Sequence, residues 1–506
     1  DALVRGGAGE EASAAAVLVF RIMFQCPGPP AGADADYDRL FAMLLLLPTW
    51  LLGGLGDEKG NHQAVVYQRA RAMYDGNGDT WRAWAAEAMH GVNTGSDKNR
   101  STTEQAPASP IERCCQAMAV GNVARAMSAL ESSPAFPTPA TPGLKKILRD
   151  EIMRQLPGAR AKGEEGGGAE GGARGPTGGG APKYAMTVLR EVRMVSLVKG
   201  KAHHMAHMHE FMEHDKKIAA GTERFEDVKD VLAGIARGMC RQILVPSAHC
   251  RTGQRLDIVR NQKALLEGLE GIEFSALVKG GATCQTTMMR AAWGAGMVIF
   301  GTDISNGFPS IKRAYVREAL EEVCPALLPI FDACYGRDIE IHGRDASAVI
   351  FMPEGVAQGD SLSTILFDLA IARMHRRALP RAIAIRAARG GSVTDGDALV
   401  GWYTDDGLGE SPDVDTAADY LIAFREQMDA ALLGDAVTLS VKDTAMASSE
   451  LTVAQINEVL KAREIDGWFE PSKIVGRDTP DAKRGFTALG VAVGSEAYVK
   501  ADINSR

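Results

Sequence analysis

The segment 157–182 places the strongest limit on how this chain can fold. It reads PGARAKGEEGGGAEGGARGPTGGGAP, and eleven of its residues are glycine. A stretch with so few apolar side chains cannot build a core. It also lacks the GK[ST] ending that a phosphate-binding P-loop requires. We therefore interpret it as a flexible linker between a first part, residues 1–156, and a second part that begins at residue 183.

The composition excludes several classes of protein. The 506 residues carry a net charge of -8 and are 45% hydrophobic, which argues against wholesale disorder and against a histone-like polycation. None of the eight cysteines forms a CxxC pair, so we expect neither a cysteine-based zinc finger nor a disulfide framework, and we interpret the chain as intracellular. The longest apolar run, 40–55, is too short and too interrupted to span a membrane.

The two parts differ in their predicted secondary structure. Residues 1–156 form a helical extension in this prediction, and 144–156 is its last helix. Beyond residue 183, helices alternate with short strands in an α+β pattern. The predicted helices are 184–197, 225–241, 310–323 and 416–433, and the predicted strands are 297–302, 338–341, 346–352 and 399–404.

Three segments carry side chains that indicate chemistry. In 297–313 an apolar strand ends near Asp303, and Phe308 follows before a helix. In 355–371 a glycine-containing turn leads into an apolar helix. In 401–410 an apolar strand runs into the adjacent carboxylates Asp405 and Asp406 at a tight turn.

Adjacent carboxylates at a turn repel each other unless a cation neutralises them. Oxygen ligands suit Mg²⁺, which usually takes one or two carboxylates together with substrate phosphates. Asp303, at the end of another strand, supplies a third carboxylate for a two-metal clamp of the kind that polymerases and nucleases use. Taken alone, an acidic pair at a turn is more often a solvated turn, so this interpretation depends on the other two segments.

The order and spacing of the three segments resemble the palm of a reverse transcriptase. Residues 303–308 are similar to its motif A, 358–367 to its motif B, and YTDD at 403–406 to its YxDD motif C. Further segments resemble the LINE-type, non-LTR retrotransposon enzymes in particular. These segments are LVKGGA at 277–282, DISNGFPS at 303–310, GFTALGVAVGSEAYV at 485–499 and the stretch 121–134.

The resemblance implies an α+β, right-hand polymerase fold. Fingers would span 183–296, a ferredoxin-like palm 297–445, and the motif E region with the start of a thumb 446–506. The helical N-terminal extension, 1–156, and the linker, 157–182, would precede them.

The resemblance also implies roles for individual residues. Asp303 and Asp405 would bind two Mg²⁺ ions, with Mn²⁺ as an alternative, and Asp406 would support the metal site or the primer end. Phe308 would act as a steric gate that excludes a ribose 2′-OH and so favours deoxynucleotides.

Four further residues would contact the nucleotide. Gln358 and Gly359 would shape the nucleotide and template pocket, although this turn could also simply cap the helix that follows. Arg255 resembles the fingers arginine that grips the triphosphate, and a guanidinium pairs well with phosphate oxygens. Lys442 resembles the motif D lysine. Both Arg255 and Lys442 lie one place from the family's usual spacing.

The implied function is that of an RNA-directed DNA polymerase of a retroelement, in the nucleus of a eukaryotic host. Its partners would be an RNA template, a DNA or RNA primer and dNTPs, with no membrane association, and the oligomeric state stays open. Two alternatives remain: a catalytically inactive relative that binds RNA or a ribonucleoprotein, and an RNA-dependent RNA polymerase.

A histidine cluster lies outside these motifs. His203 and His207 are spaced so that one face of a helix could bind a metal, with His204 and His209 nearby. No cysteine is close to them, so contact with RNA is the interpretation that we favour.

Overall fold

The computed structural model describes residues 139–156, 158–161, 191–198, 202–237, 240–246, 248–342, 349–391, 398–433, 439–440 and 444–505. The predictions for 1–138, for most of the linker and for Lys442 lie outside these residues. The described residues form two compact units. The first takes in those within 139–154, 160–256 and 332–351, and the second those within 155–159, 257–331 and 352–505.

Helices and strands are mixed along the described chain. The strands are β1 Arg160–Ala161, β2 Glu191–Val198, β3 Cys240–Pro246, β4 Val298–Asp303, β5 Ile339–His342, β6 Val349–Met352, β7 Leu399–Tyr403, β8 Asp406–Ser411, β9 Ala445–Ala447, β10 Ile474–Val475, β11 Gly485–Ala488 and β12 Val491–Gly494. The α-helices are α1 Pro142–Gln155, α2 Ala202–Ala219, α3 Phe225–Ala236, α4 Ala248–Arg260, α5 Gln262–Leu269, α6 Gly281–Gly294, α7 Gly307–Ser310, α8 Arg313–Val323, α9 Leu328–Tyr335, α10 Ser363–Ala388, α11 Val414–Ala431, α12 Val453–Ala462 and α13 Glu496–Ser505.

In the first unit, helices α1, α2 and α3 pack around a small apolar core. Leu144, Phe211 and Leu232 are fully buried there, one from each helix. The carboxylate of Asp215 on α2 accepts hydrogen bonds from the backbone N–H and the hydroxyl of Thr141, at the start of α1. Because the first N–H groups of a helix have no partner inside it, this contact both caps α1 and ties it to α2.

The first unit also contains a five-stranded sheet in the order β1-β6-β5-β2-β3. Strand β2 pairs antiparallel with β3 and parallel with β5. The prediction of a helix over 184–197 is therefore wrong for the residues of β2. Val192, Val195 and Val198 recur every three residues, a spacing typical of a helix face, whereas pairing with a strand on each side imposes the extended conformation.

Two residues near the start of the predicted linker form a strand. Arg160 and Ala161 pair antiparallel with Phe351 and Ile350, and the Arg160 guanidinium forms an ion pair with Asp338. Arg160 and Ala161, within the predicted flexible linker, are therefore part of a sheet.

The second unit is built on a five-stranded sheet in the order β10-β9-β4-β8-β7. Strand β4 is central, and all its residues except Asp303 are buried. Neighbouring side chains on a strand point to opposite faces. Ile299 accordingly joins a cluster that includes Met289 of α6, while the ring of Phe300 contacts Tyr420 of α11, with centroids 6.2 Å apart. The sheet thus lies between α6 on one face and α11 on the other.

Most other predicted elements are confirmed within a few residues. The helices over 144–156, 310–323 and 416–433 correspond to α1, to α7 with α8, and to α11. The helix over 225–241 ends earlier, at Ala236, and β3 begins at Cys240. All four predicted strands are present as β4, β5, β6 and β7. In the described part of the chain, no helix combines the length and the apolar character needed to cross a membrane.

Candidate active site

Asp303, Asp405 and Asp406 meet at one end of the central strands of the second unit. Asp303 is the last residue of β4 and Asp406 the first of β8, and the two are direct partners in the antiparallel register. Asp405 lies in the turn that joins β7 to β8, and its carbonyl oxygen accepts a hydrogen bond from the N–H of Ile304, at 3.1 Å. The strand register therefore brings the backbones of all three aspartates together.

The turn that carries Asp405 is tight, and backbone hydrogen bonds from a neighbouring segment hold the strand before it. Tyr403 and Asp406 are register partners, so only Thr404 and Asp405 stand between the strands. Thr404 has a φ of +61°, in the left-handed region that a β-branched residue rarely adopts, and such strain persists only where the surroundings hold it. On the other edge of β7, the N–H of Trp402 donates to the carbonyl of Ile272, and the N–H of Phe274 donates back to the carbonyl of Trp402.

The chemistry of this donor set is that of a hard cation site. All three aspartates are half-buried, and they offer only carboxylate oxygens. Within the part of the chain that the structure describes, however, no group of three or more His, Cys, Asp or Glu side chains is close enough to hold a metal ion by itself. The type of donor is nevertheless the one that Mg²⁺ takes in proteins, together with substrate phosphates and water.

Phe308 follows the aspartates on the short helix α7. Its side chain is buried and stacks on the ring of Phe367 of α10, with centroids 4.6 Å apart and planes 15° apart. Gly307 makes this contact feasible, because a Cβ atom there would lie 2.6 Å from the Phe367 ring. The glycine and the two aromatic residues thus fix the backbone that follows Asp303.

The loop before α10 is attached to the same backbone. The N–H of Val356 donates to the carbonyl of Phe308 at 2.8 Å. Gln358 is half-buried, and Gly359 is exposed with a φ of +106°. The carboxylate of Asp360 accepts from the N–H of Leu362, which is itself the N-cap residue of α10. This N-cap makes no side-chain capping hydrogen bond, so the helix-capping interpretation of the turn is not confirmed.

Two other predicted residues are not described with this site. Arg255 is an exposed residue of α4 and belongs to the first unit, whereas the aspartates belong to the second. Lys442 falls outside the described residues. Their proposed contacts with a nucleotide stay predictions.

A buried acidic network that the sequence analysis missed lies beside the aspartates. Glu273, in the segment along β7, and Asp368, on α10, are 3% and 0% exposed. The hydroxyl oxygen of Ser275 lies 2.9 Å from Glu273 Oε2 and 2.8 Å from Asp368 Oδ2. One hydroxyl can donate only one hydrogen bond, so one of the two carboxyl groups must itself donate to Ser275 and must be protonated.

The pKa values of the network agree with this geometry. Burial, and then the charge of Asp368, raises the pKa of Glu273 to about 9, against the opposing effect of hydrogen bonds from Ser275 and from the backbone of Thr404. Burial also raises the pKa of Asp368, and the charge of Asp405 adds to the shift. The network therefore interacts directly with the turn that carries Asp405.

The sequence does carry a signal for this network. Glu273 stands between Ile272 and Phe274, and Asp368 interrupts the apolar run ILFDLAI. A single acid inside an apolar run is expected to be buried, and a buried acid must be protonated or paired.

Comparisons with known proteins find limited similarity. No family model and no curated protein matches the chain. Among solved structures, it is similar to apo telomerase from Candida tropicalis truncated from its C-terminal domain, with 12% identity, 52% of each chain covered and a TM-score of 0.31. It is also similar to telomerase from Candida albicans in complex with the TWJ fragment of telomeric RNA, with 12% identity over 40% of this chain and 41% of that chain and a TM-score of 0.27. The corresponding complex from Candida tropicalis has 13% identity over 43% of this chain and 41% of that chain and a TM-score of 0.28. The chain spans about half the length of the first of these structures.

Proposed function

We propose that this chain is an RNA-directed DNA polymerase with a right-hand polymerase fold. One observation carries the proposal: Asp303 and Asp406 are partners across β4 and β8, and Asp405 is in the turn between β7 and β8. Carboxylates at adjacent strand ends are the arrangement that a two-metal phosphoryl transfer needs. The division into fingers, palm and thumb is part of the same proposal.

In the proposed reaction, the primer 3′-oxygen forms a bond to the α-phosphorus of a dNTP, and the bond to the leaving pyrophosphate breaks. Asp303, Asp405 and Asp406 would hold two Mg²⁺ ions, which when bound neutralise phosphate charge and lower the pKa of the attacking hydroxyl. The carboxylates would thereby align the two reacting groups, and alignment contributes much of the rate in phosphoryl transfer.

The residues around the carboxylates would select the nucleotide. Phe308 would exclude a 2′-OH. Its stacking on Phe367 would hold the ring in place, so that the ring would not move aside for a ribose. Gln358 and Gly359 would line the nucleotide and template pocket. Arg255 would grip the triphosphate, and Lys442 would assist the leaving pyrophosphate.

The more specific part of the proposal is a retroelement enzyme of the LINE type. It rests on the resemblance of 277–282, 303–310 and 485–499, the last of which forms β11, β12 and the start of α13. The expected partners are an RNA template, a DNA or RNA primer and dNTPs, in the nucleus of a eukaryotic host.

Primer extension on an RNA template with Mg²⁺ tests the proposal. Wild-type protein should extend the primer with dNTPs, Asp405→Ala should not, and Asp429→Ala, an exposed carboxylate on α11, should behave as wild type. Equal product from wild type and Asp405→Ala would refute the site. Preferential use of rNTPs would instead indicate an RNA-dependent RNA polymerase.

The second candidate is a protein that binds RNA without catalysis. The observation that favours it is that no three-ligand metal cluster is assembled among the described residues. It predicts RNA binding of equal strength by wild type and Asp405→Ala, with no extension by either.

A further inference from the structure

The backbone of Asp405 is anchored to β4 on one side. Its carbonyl oxygen accepts a hydrogen bond from the N–H of Ile304, at 3.1 Å. The residue before it, Thr404, has a φ of +61°, and a β-branched residue leaves this conformation unless its neighbours hold it. A second anchor, on the side of Thr404, is therefore needed to fix the direction in which the Asp405 side chain points.

A segment that runs beside β7 reaches as far as Trp402. Glu273 forms a parallel bridge with Trp402. The N–H of Trp402 donates to the carbonyl of Ile272 at 2.7 Å, and the N–H of Phe274 donates to the carbonyl of Trp402 at 2.8 Å. In a parallel ladder, the next donor on the same edge of the strand is the N–H two residues further on, which is that of Thr404. The partner of Thr404 therefore decides whether the turn is held.

The partner of Thr404 is the side chain of Glu273. A hydrogen bond from the backbone of Thr404 lowers the pKa of Glu273, which identifies the N–H as the donor and the carboxyl group as the acceptor. Oε2 of Glu273 also accepts from the N–H groups of Phe274 and Ser275, at 3.1 and 3.2 Å. The chain bends from Ser275 onward, so a buried side chain continues the ladder beyond the last backbone contact.

The hydroxyl of Ser275 attaches this side chain to α10. It lies 2.9 Å from Glu273 Oε2 and 2.8 Å from Oδ2 of Asp368, which is fully buried on that helix. The backbone of Ala276 also hydrogen-bonds to Asp368. Buried polar networks of this kind make the groups that they join rigid. The carboxyl group of Glu273 is therefore held by a helix of 26 residues as well as by its own loop.

We propose that Glu273 is a positioning residue: its carboxyl group holds Thr404 in the left-handed conformation and thereby fixes the place of the Asp405 carboxylate. The expected effect on primer extension rests on the proposed function, whereas the expected effect on the turn does not. Thr404 needs an acceptor oxygen and not a charge, so the amide of a glutamine should serve in place of the carboxyl group. A methyl group should not.

Hydrogen exchange, measured by mass spectrometry on the whole chain, tests the turn without any activity assay. In peptides that span 402–408, one amide that is protected in wild type should exchange about tenfold faster in Glu273→Ala, as the loss of one hydrogen bond implies. Glu273→Gln keeps an acceptor oxygen in the same place and should protect that amide as wild type does.

The matched control is Glu410→Ala. Glu410 is a half-buried acid of β8 at the end of the strand away from Asp406, so its removal should leave exchange in the turn as in wild type. Equal exchange across β4 in all variants shows that the fold is intact. If Glu273→Ala does not fold, Ser275→Ala replaces it: the variant lacks the hydroxyl between Glu273 and Asp368 and should speed exchange of the same amide by a smaller factor.

Primer extension measures the consequence for Asp405. Glu273→Ala should lower the single-turnover rate, or raise the Mg²⁺ concentration for half-maximal rate, by about tenfold to a hundredfold, as the loss of a group that orients a metal ligand does. Glu273→Gln should recover most of this loss, and Glu410→Ala should need no more Mg²⁺ than wild type. A merely structural role would not change the Mg²⁺ requirement.

Three results would overturn the proposal. They are equal exchange of the turn in wild type and Glu273→Ala, faster exchange without any change in rate or Mg²⁺ requirement, and a Glu273→Gln protein as impaired as Glu273→Ala. If wild type itself extends no primer, the proposed polymerase function fails, and the exchange measurement alone decides whether Glu273 holds the turn.

Discussion

Asp303 and Asp406 face each other across β4 and β8 as direct register partners. In the proposed metal site both carboxylates act on the same ions, so the effects of removing them should not add. Asp303→Asn and Asp406→Asn should each lower the rate of primer extension by about a thousandfold, and the double variant should be little worse than the slower single one. Single-turnover extension measures all three rates.

The outcome that contradicts a shared site is full additivity, in which the double variant loses the product of the two single effects. Unchanged thermal unfolding of each variant is the control, because a fall in melting temperature would assign the loss to folding.

The strand ends that carry the aspartates were predictable, because at each of them an apolar run ends and an acid follows. Apolar runs at 297–302 and 399–404 predict buried strands, and an acid directly after a buried strand must lie at an edge of the sheet. The structure has these strands as β4 and β7, within two residues of the prediction. Which strands are neighbours was not predictable, because β9 and β10 have three and two residues and carry no pattern of their own.

The rest of the site depends on contacts that are distant in sequence. Ser275 and Asp368 are 93 residues apart, and their hydrogen bond follows from the packing of α10 beside the segment at Glu273. The composition of each segment indicates that its acid is buried, but only the fold shows that the two acids share one hydroxyl.

Phe308 provides a test of sugar selection. Phe308→Val shortens the side chain that is proposed to exclude the 2′-OH, so the ratio of rNTP to dNTP incorporation should rise about tenfold or more. Competitive extension with matched rNTP and dNTP measures the ratio. Phe367→Leu also removes the aromatic stack but leaves Phe308 in place, so it should change the ratio less. An equal change in both variants would assign the effect to packing.

Gly355 should be required for the loop that contacts Phe308. Its φ is +76°, and a Cβ atom would lie 2.2 Å from the carbonyl oxygen of Pro309. Gly390 has the same φ of +76°, but a Cβ atom there would meet none of the described residues within 4 Å. Gly390→Ala should therefore cost only the conformational strain, about 1–2 kcal/mol, and Gly355→Ala should cost about 1–3 kcal/mol more. Urea unfolding measures both, and equal losses would rule out the clash.

Asp419 holds together three helices of the second unit. It is fully buried and forms ion pairs with Arg386 and Arg389, at 3.7 and 2.7 Å, and with Arg463. Asp419→Asn removes the buried charge that faces these arginines, of which Arg389 keeps a second ion pair with Asp415 at 3.2 Å, and should lower the free energy of unfolding by about 3–5 kcal/mol.

The matched control for Asp419 is Glu426→Gln, which breaks a half-exposed pair with Arg381 and should cost about 0–1 kcal/mol. Urea unfolding of the two variants compares the losses. A cost for Asp419→Asn as small as that of the control would show that the network contributes little.

Glu273 should make the stability of the protein decrease as the pH rises from 4.5 to about 9. Burial, and then the charge of Asp368, raises its pKa from 4.5 to about 9 in the folded protein. The folded state therefore keeps a proton that the unfolded state has lost, and this stability is present in full below pH 4.5 and is lost as the pH rises towards 9. The decrease is at most about 1.4 kcal/mol per pH unit for one proton.

The range from pH 7 to 9 isolates this effect. Burial, and then the charge of Arg376, lowers the pKa of His375 from 6.5 to about 4. His375 is therefore neutral between pH 7 and 9 in both the folded and the unfolded protein. Its contribution to stability is lost only as the pH falls below 6.5. Burial raises the pKa of Asp368 to about 7, so most of the stability that its proton contributes is already lost below pH 7. Glu273→Gln cannot titrate, and its free energy of unfolding should fall less steeply between pH 7 and 9 than that of wild type. If the free energy of unfolding falls equally with pH in the two proteins, Glu273 is ionised in the folded state. The carboxyl group that donates to Ser275 is then that of Asp368.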